Sequence, residues 1–391
     1  MTDIRGHFDP EYEAVAAAFT ENFATAREVG AAVTVYRQGR EVVSLHGGAA
    51  RPDQPWREDT LATVFSVSKG IVATVVAVLV DRGLLDVDAR VADYWPEFGD
   101  SGKSEVTIRQ VLTHTAGVIS FPGYLDLVER SQVWPDLEDI VAGIEGAAPY
   151  WPPGEGHGYH ALTYGWILGQ VVYKITGLRI GQWFREHIGE PFDIDFWFAP
   201  PKSEHDRIAD LVDNPIPDHP MMHAYLSLFN PDTWTGQAHF MTRDGVAAIG
   251  ATFNQEEIRS AEIPGGGGIG SARGIARLYA LLANGGTLDG KRLLSAETIA
   301  THTAEQVRGH DRVLLVPGAF ALGFARPSEF SPYVALPDAF GHSGLGGSVG
   351  FADPTSGVGF AYVPNALQFD APGDITRAGR LVEALQKATN N

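Results

Sequence analysis

Two hairpin patterns, one near each end of the chain, constrain the fold more than any other feature. Residues 31–46 form two apolar runs around a glycine-containing turn, and residues 347–363 form two runs around Asp353-Pro354-Thr355-Ser356. Apolar runs of this length that flank Gly or Pro turns are typical of antiparallel hairpins. A helical pattern accompanies each hairpin, over residues 11–28 and from about Asp374 to Lys387. Because the two ends read alike, we expect them to form one sheet flanked by helices.

The middle of the chain shows helical patterns bounded by capping residues, at residues 107–115, 135–146, 160–176 and 180–187. The length of 391 residues also exceeds what one compact core usually needs. The fold class we predict is α/β plus α: an antiparallel sheet flanked by helices, built from both termini, with an inserted mainly helical domain. We assign residues 1–85 and 265–391 to the α/β domain. Residues 86–264 form the helical domain, in which residues 200–265 are expected to cover the substrate.

Composition and charge exclude several classes of function. With 44% hydrophobic and 20% charged residues, the chain has the composition of a folded globular protein. A formal net charge of −19 argues against nucleic acid or an anionic membrane as a partner. The absence of cysteine excludes disulfides and thiolate chemistry. The N-terminus shows no signal-peptide pattern, and the longest apolar run, residues 71–80, is about half a membrane span, so we expect a cytoplasmic protein.

The first candidate site is the pair Ser66 and Lys69, at the start of an apolar helical run. Residues three apart share one face of a helix, so the two side chains would lie side by side. A serine near a helix N-terminus feels the positive end of the helix dipole, and its own N–H is free to bind an oxyanion. Lysine acts as a base only when it is neutral, so this chemistry requires Lys69 to be buried. The pair alone is a weak signal, and a surface serine beside an extended lysine is the alternative.

Two further segments fit the same chemistry. A Gly- and Pro-rich loop over residues 151–160 would present Tyr159 at the start of a helix, where its phenol can relay protons. Near the C-terminus, His342-Ser343-Gly344 combines polar residues with a glycine that lets the backbone approach a ligand closely. A strand edge of this kind supplies N–H donors for an oxyanion.

Together these residues resemble a known family. Ser66-x-x-Lys69, Tyr159 and His342-Ser343-Gly344 stand in the order of the three motifs of penicillin-recognising serine hydrolases. The match is similar to the class C β-lactamase fold and, within it, to family VIII carboxylesterases. Further family-like stretches are residues 112–117, 153–154 and 271–279, and the whole set spans most of residues 10–390.

The resemblance implies a serine hydrolase that works through an acyl-enzyme. Ser66 would attack the carbonyl carbon, while Lys69 and Tyr159 would share the role of base as a coupled pair. The backbone N–H groups of Ser66 and Leu345 would hold the oxyanion. We expect a small-molecule ester as the partner, and neither a metal nor any other cofactor.

Two departures from the lactamase pattern favour esters. Tyr159-His160-Ala161 has no Asn two positions after the tyrosine, and the third motif begins with His342 rather than Lys. Both losses remove groups that grip the amide and carboxylate of a β-lactam. His342 then either hydrogen-bonds near Tyr159 or contacts the site residues without touching the substrate. The residues expected to bind substrate are His342, Ser343, Gly344, Tyr124 and Trp166, although core packing explains Trp166 equally well.

Other motifs have simpler explanations. Ser348 lies in a G-x-S-x-G pattern, but a strand and a turn follow it rather than a helix, and no histidine follows to complete a triad. His157 and His160 lack a third ligand for zinc, and His114, in a helix-end motif, is interpreted as structural. Residues 264–270 lack the Gly-Lys-Ser/Thr ending of a phosphate loop and are interpreted as a flexible joint.

Three functions remain open: a carboxylesterase for small or short-acyl esters, an amidase, peptidase or β-lactamase on the same fold, and a non-catalytic homologue. The predicted cytoplasmic location weighs against a β-lactamase, whose substrates act outside. The presence of Ser66, Lys69 and Tyr159 weighs against a non-catalytic protein. The sequence therefore favours a carboxylesterase, and it leaves open the acyl and alcohol preference, the stereoselectivity and the oligomeric state.

Overall fold

The computed structural model describes residues 2–131, 134–240, 248–329, 331–369 and 376–389. The largest element is a seven-stranded antiparallel sheet of β1 (Ile4–Phe8), β2 (Gly30–Arg37), β3 (Arg40–Arg51), β4 (Gln54–Pro55), β5 (Phe340–Ser343), β6 (Val349–Asp353) and β7 (Val358–Pro364). The strands run in the order β1-β3-β2-β7-β6-β5, and β4 pairs with β3. At the centre of the sheet, Ala31 pairs with Pro364 and Arg37 with Val358. The predicted sheet built from both termini, with a hairpin at each end, is therefore confirmed.

The helices are α1 (Glu13–Thr25), α2 (Val67–Asp81), α3 (Val91–Tyr94), α4 (Ile108–Leu112), α5 (Tyr124–Arg130), α6 (Leu137–Gly146), α7 (Thr163–Thr176), α8 (Ile180–Phe184), α9 (Pro220–Ser227), α10 (Trp234–His239), α11 (Ile249–Phe253), α12 (Glu256–Arg259), α13 (Ala272–Ala283), α14 (Ala296–Thr303) and α15 (Arg377–Thr389). The predicted helices of the middle region correspond to α4, α6, α7 and α8, and a π-turn over Arg185–Gly189 ends the last of these earlier than predicted. The predicted tail helix begins at Arg377 in the described part of the chain, whereas Asp374 lies outside the described residues.

Helices cover both faces of the sheet. On one face, α1 and α15 pack together and bury the side chains of Phe19 and Leu381 against the strands. On the other face, α13 crosses β7 so closely that a Cβ on Gly359 would lie 2.2 Å from the backbone nitrogen of Ala280. Helix α2 is buried from Val67 to Leu79 and contacts both β5 and α7, so it joins the sheet to the helical middle of the chain. None of the described helices is both long and apolar enough to cross a membrane.

A buried ion pair ties α15 to the sheet. Arg377 donates from Nη1 to Oε1 of Glu28 at 2.5 Å, and Tyr362 of β7 donates to the same carboxylate. Arg377 also donates from Nη2 to the carbonyl oxygen of Ala366 at 2.5 Å. Burial raises the pKa of Glu28 from its usual value of 4.5 to about 7, against the opposing effect of Arg377. The carboxylate therefore takes up a proton more readily in the folded protein than in the unfolded chain.

This raised pKa predicts a pH dependence of stability. Between about pH 4.5 and 7 the folded protein binds an extra proton at Glu28, so the free energy of unfolding that this group contributes falls as the pH rises. Urea denaturation of the wild type and of Glu28→Gln across this range should show the wild type losing stability relative to the variant, by up to about 3 kcal/mol.

The control for this measurement is Glu256→Gln. Glu256 is exposed and accepts a hydrogen bond from Lys202, which lowers the pKa of its carboxyl group. The stability of the wild type relative to Glu256→Gln should therefore not fall over the same pH range. A wild type that gains stability relative to Glu28→Gln as the pH rises would mean that Arg377 outweighs burial.

Candidate active site

Ser66 stands at the N-terminal end of the central helix α2. The residue before it, Phe65, holds a left-handed backbone with a φ of +47°, which bulky side chains rarely adopt. The carbonyl oxygen of Phe65 accepts from the N–H of Ser68 at 3.0 Å and from its hydroxyl at 2.5 Å. Ser68 Oγ accepts in turn from the N–H of Gly268 at 3.0 Å. Ser68 is thus a structural link in this turn, while Ser66 lines a cavity.

The amine of Lys69 is fully buried among polar atoms of three segments. Nζ lies 3.3 Å from Ser66 Oγ and donates to the carbonyl oxygens of Ala161 at 2.6 Å and Gly265 at 2.5 Å. Burial lowers the pKa of Lys69 well below its usual range. A neutral amine has two N–H groups and one lone pair. With two N–H groups donated to these carbonyls, a neutral amine would direct its lone pair at the hydroxyl of Ser66, as a lysine base requires.

Tyr159 and His342 lie on the other side of this pair. Lys69 Nζ is 4.6 Å from the centroid of the Tyr159 ring, and the phenol oxygen is 3.5 Å from Nε2 of His342. Burial raises the pKa of Tyr159, so its phenol stays protonated and able to donate.

The tautomer of His342 follows from its other contact. Nδ1 lies 2.8 Å from the carbonyl oxygen of Ser343, to which it donates, so Nε2 carries the lone pair that faces Tyr159. Burial is the main cause that lowers the pKa of His342 to about 3, and a protonated Lys69 would act in the same direction. Of the two roles expected for His342, this geometry favours the hydrogen bond to Tyr159.

The chain leaves β5 toward Leu345, which lines the same cavity as Ser66. A Cβ on Gly344 would lie 2.2 Å from the carbonyl oxygen of Val64, so glycine is what lets this segment approach the turn before Ser66. Leu345 begins a short 3-10 turn. In the described part of the chain, neither its N–H nor that of Ser66 donates to a protein acceptor. Two free N–H groups near one hydroxyl are the arrangement expected of an oxyanion site.

A cavity of about 380 Å³ opens at these groups, and the predicted site residues that line it are Ser66, Tyr159, His342, Ser343 and Leu345. Apolar and aromatic side chains form most of the remaining wall, among them Tyr225, Phe229, His239, Ile249, Leu314, Val316 and Phe320. A larger surface cleft of about 580 Å³ lies elsewhere. Three of its four arginines, Arg185, Arg207 and Arg273, pair with carboxylates, so we place the chemistry in the smaller cavity.

Two predicted substrate residues lie away from this cavity. The hydroxyl of Tyr124 donates to the carbonyl oxygen of Phe240 at 2.8 Å, and its ring packs 6.0 Å from that of Trp166. Trp166 is buried and also contacts Trp134. Neither side chain is among the described residues that line this cavity, so their assignment to the substrate site stays a prediction that this geometry does not support. Gly344 does not line the cavity either, and it acts through the close approach to Val64.

Some of the groups nearest the chemistry carry no signal in the sequence. The carbonyl oxygens of Ala161 and Gly265 bind Lys69 through the backbone, which every residue type offers. The glycine-rich segment that contains Gly265 is buried rather than a flexible joint. His239 was not predicted as a site residue. Its ring stacks on that of Tyr159 at 5.8 Å, and the aromatic richness of residues 224–240 was the signal that could have found it.

The alternative motifs have structural roles. Ser348 is buried, donates to the carbonyl oxygen of Val64 at 2.8 Å, and precedes strand β6 rather than a helix. Both ring nitrogens of His160 are engaged, by the Gly158 carbonyl oxygen at 2.7 Å and the Val118 N–H at 3.0 Å. Within the described ranges, no group of three or more His, Asp or Glu side chains is placed to hold a metal ion.

Comparisons with known proteins agree with this arrangement. Residues 15–383 match the Beta-lactamase family. The esterase/beta-lactamase LipL of Mycobacterium tuberculosis is 38% identical over 376 residues, which cover 93% of this chain and 83% of LipL. The crystal structure of a family VIII carboxylesterase superposes with a TM-score of 0.85 at 38% identity, covering 99% of this chain and all of the other. A penicillin-binding protein homologue from Caulobacter crescentus gives a TM-score of 0.84 at 37% identity, covering 99% of this chain and all of that protein.

The resemblance seen in the three sequence motifs is thus confirmed over nearly the whole chain. The family match covers well over half of the residues, and these relatives share the fold from end to end. This chain therefore belongs to the Beta-lactamase family and is a serine hydrolase.

Proposed function

We propose that this chain is a serine carboxylesterase that forms an acyl-enzyme on Ser66. The observation that carries the proposal is the buried amine of Lys69. Two backbone carbonyls accept its N–H groups, which leaves the lone pair of the neutral amine to face Ser66 Oγ at 3.3 Å. The esterase activity in the name of LipL and the family VIII carboxylesterase structure support the choice of an ester as substrate.

In the mechanism we propose, Ser66 Oγ attacks the ester carbonyl carbon as its proton passes to the Lys69–Tyr159 pair. The oxyanion that forms accepts from the N–H groups of Ser66 and Leu345. Its collapse breaks the bond to the alcohol oxygen, which takes the proton back from the pair. A water molecule then repeats the sequence on the acyl-enzyme and releases the carboxylic acid.

The cavity supports an ester rather than a β-lactam. Lactamases place a lysine at the position of His342. In this chain His342 is neutral, and its Nδ1 donates to the carbonyl oxygen of Ser343. Ala161 stands where lactamases carry an asparagine. The cationic side chain of Arg326 also lines the cavity, but its Nη atoms donate to the carbonyl oxygens of Asp338 and Pro337. The difference from a lactamase site thus lies at these two motif positions, while Arg326 keeps a cation at the cavity wall and its buried Nε has no partner among the described residues.

The assignment of the nucleophile can be tested with two serine variants. Ser66→Ala should lower aryl ester turnover roughly 10⁴-fold or more, because the group that accepts the acyl chain is lost. Ser348→Ala should leave turnover largely intact. A fluorophosphonate probe should label the wild type and Ser348→Ala on Ser66 and should not label Ser66→Ala. The reverse pattern would overturn the assignment.

The buried lysine predicts the pH dependence of catalysis. Only the neutral amine accepts the proton of Ser66, so kcat/KM should rise with pH and then level off. Because burial lowers the pKa of Lys69, the rise should lie below the usual lysine range. Lys69→Arg, which stays charged, should be inactive.

His239, which also lines the cavity, provides the control for this rise of kcat/KM with pH. Burial lowers the pKa of His239 to about 4, so His239→Gln should keep the rise at the same pH as the wild type. If the rise of kcat/KM moves to another pH in His239→Gln, the titrating group would be His239 instead of Lys69.

Substrate class is tested with a matched aryl ester, the corresponding anilide and a chromogenic cephalosporin. The ester should be hydrolysed fastest, because His342 and Ala161 lack the groups that grip a β-lactam. Replacing both, as His342→Lys with Ala161→Asn, should raise the ratio of cephalosporin to ester turnover. A wild type that prefers the cephalosporin would favour the β-lactamase alternative, to which the other half of the name of LipL points.

A further inference from the structure

Tyr159 lies in an irregular segment, residues 157–160, that ends before α7 begins. Three consecutive backbone N–H groups of this segment are nevertheless fixed. Gly158 donates to the carbonyl oxygen of His114 at 3.0 Å, and Tyr159 donates to Oδ1 of Asp311 at 3.1 Å. His160 donates to Nδ1 of His114 at 3.1 Å. His114 therefore holds the residue on each side of Tyr159, and Asp311 holds Tyr159 itself.

The backbone of His114 is unusual. His114 follows the last turn of α4, where its N–H bonds to the Val111 carbonyl at 3.2 Å and the Thr115 N–H bonds to the Gln110 carbonyl at 2.8 Å. This helix ending places its central residue in the left-handed region, a position that glycine usually fills. His114 holds a φ of +59° there. A strained residue where glycine would suffice indicates that the side chain is needed.

The imidazole of His114 is suited to the contact it makes. It is buried, and its ring centroid lies 4.9 Å from that of Tyr159 and 4.7 Å from that of Phe320. Burial lowers the pKa of His114 well below its usual range. The ring is therefore neutral, and Nδ1 keeps the lone pair that accepts from His160.

Asp311 extends the same support to the cavity wall. Besides Tyr159, its buried Oδ1 accepts from the N–H groups of Val313 at 2.8 Å and Leu314 at 2.7 Å. Leu314 lines the cavity. The carboxylate thus fixes Tyr159 relative to the turn that forms one side of the substrate site.

We infer that His114 is a positioning residue for Tyr159, which holds the irregular segment in the register that sets the phenol beside Ser66 and His342. This inference rests on the proposed role of Tyr159 as part of the base. His114 does not line the cavity, so it acts on the chemical step through Tyr159 rather than on substrate binding.

The test compares His114→Gly with His114→Asn. Glycine and asparagine both tolerate a left-handed backbone and both remove the ring. Only asparagine keeps an oxygen acceptor near the place of Nδ1. A small displacement of a reacting group costs up to ~10²-fold in rate. We therefore expect His114→Gly to lower kcat by roughly 10- to 10²-fold with little change in KM, and His114→Asn to recover most of that loss.

The same glycine substitution is then made in Tyr159→Phe. If His114 acts through Tyr159, the two losses are not additive, and His114→Gly should lower kcat by less than about threefold in that background. The control is His302→Ala, which removes a buried imidazole on α14 and should leave kcat near the wild-type value. Thermal unfolding of each variant reports any loss of fold separately.

The outcomes separate this inference from the proposed function. If Tyr159→Phe lowers kcat but His114→Gly and His114→Asn behave alike, or if the glycine loss is fully additive, the positioning role is overturned while the mechanism stands. If Tyr159→Phe leaves kcat unchanged, both fail. Should His114→Gly not fold, Asp311→Ala against Asp311→Asn provides the same comparison, because only asparagine retains an acceptor for the N–H of Tyr159.

Discussion

The burial of the Lys69 amine is the constraint on which the rest of the site depends. Nζ bonds to the carbonyl oxygens of Ala161 and Gly265, and these belong to segments almost a hundred and two hundred residues further along the chain. The close packing around it needs Gly165, where a Cβ would lie 2.0 Å from the backbone nitrogen of Gly265. Among the described residues only uncharged oxygen atoms accept from Nζ, so this amine is held by desolvation and neutral acceptors. Under the proposed mechanism, every element that contacts this amine must be in place before Lys69 can activate Ser66.

The side chains that carry the proposed chemistry could be found from the sequence, because their residue types and spacing are specific. Ser66 and Lys69 are three apart on one helix, and the structure places Nζ 3.3 Å from Oγ. The carbonyl acceptors could not be found, because a backbone oxygen has no signature and depends on tertiary packing. The hairpins around residues 31–46 and 347–363 were predictable for the same reason as the serine–lysine pair, since local alternation and turn residues determine them.

Several features of the structure cannot be read from the local sequence pattern. Trp166 and Tyr124 are aromatic residues at helical positions, and such residues read alike whether they face a core or a cavity. The early end of α8 at Phe184 depends on a π-turn, which a helical period does not reveal. The helix-end position of His114 indicates a structural role, but it does not indicate which distant N–H group its ring binds. For the two aromatic residues and for His114, the deciding contacts join residues far apart in sequence.

The pairing of Ala31 with Pro364 has a consequence for how the protein is made. Strand β2 is synthesised more than three hundred residues before β7, its neighbour at the centre of the sheet. Gly344, which packs against Val64, is likewise made long after Ser66 and Lys69. A nascent chain that ends before β5 therefore holds Ser66 and Lys69 without the strand that would complete the proposed oxyanion site. Long-range pairing of this kind also slows folding, so under the proposed mechanism hydrolytic activity should appear only after β5, β6 and β7 have joined the sheet.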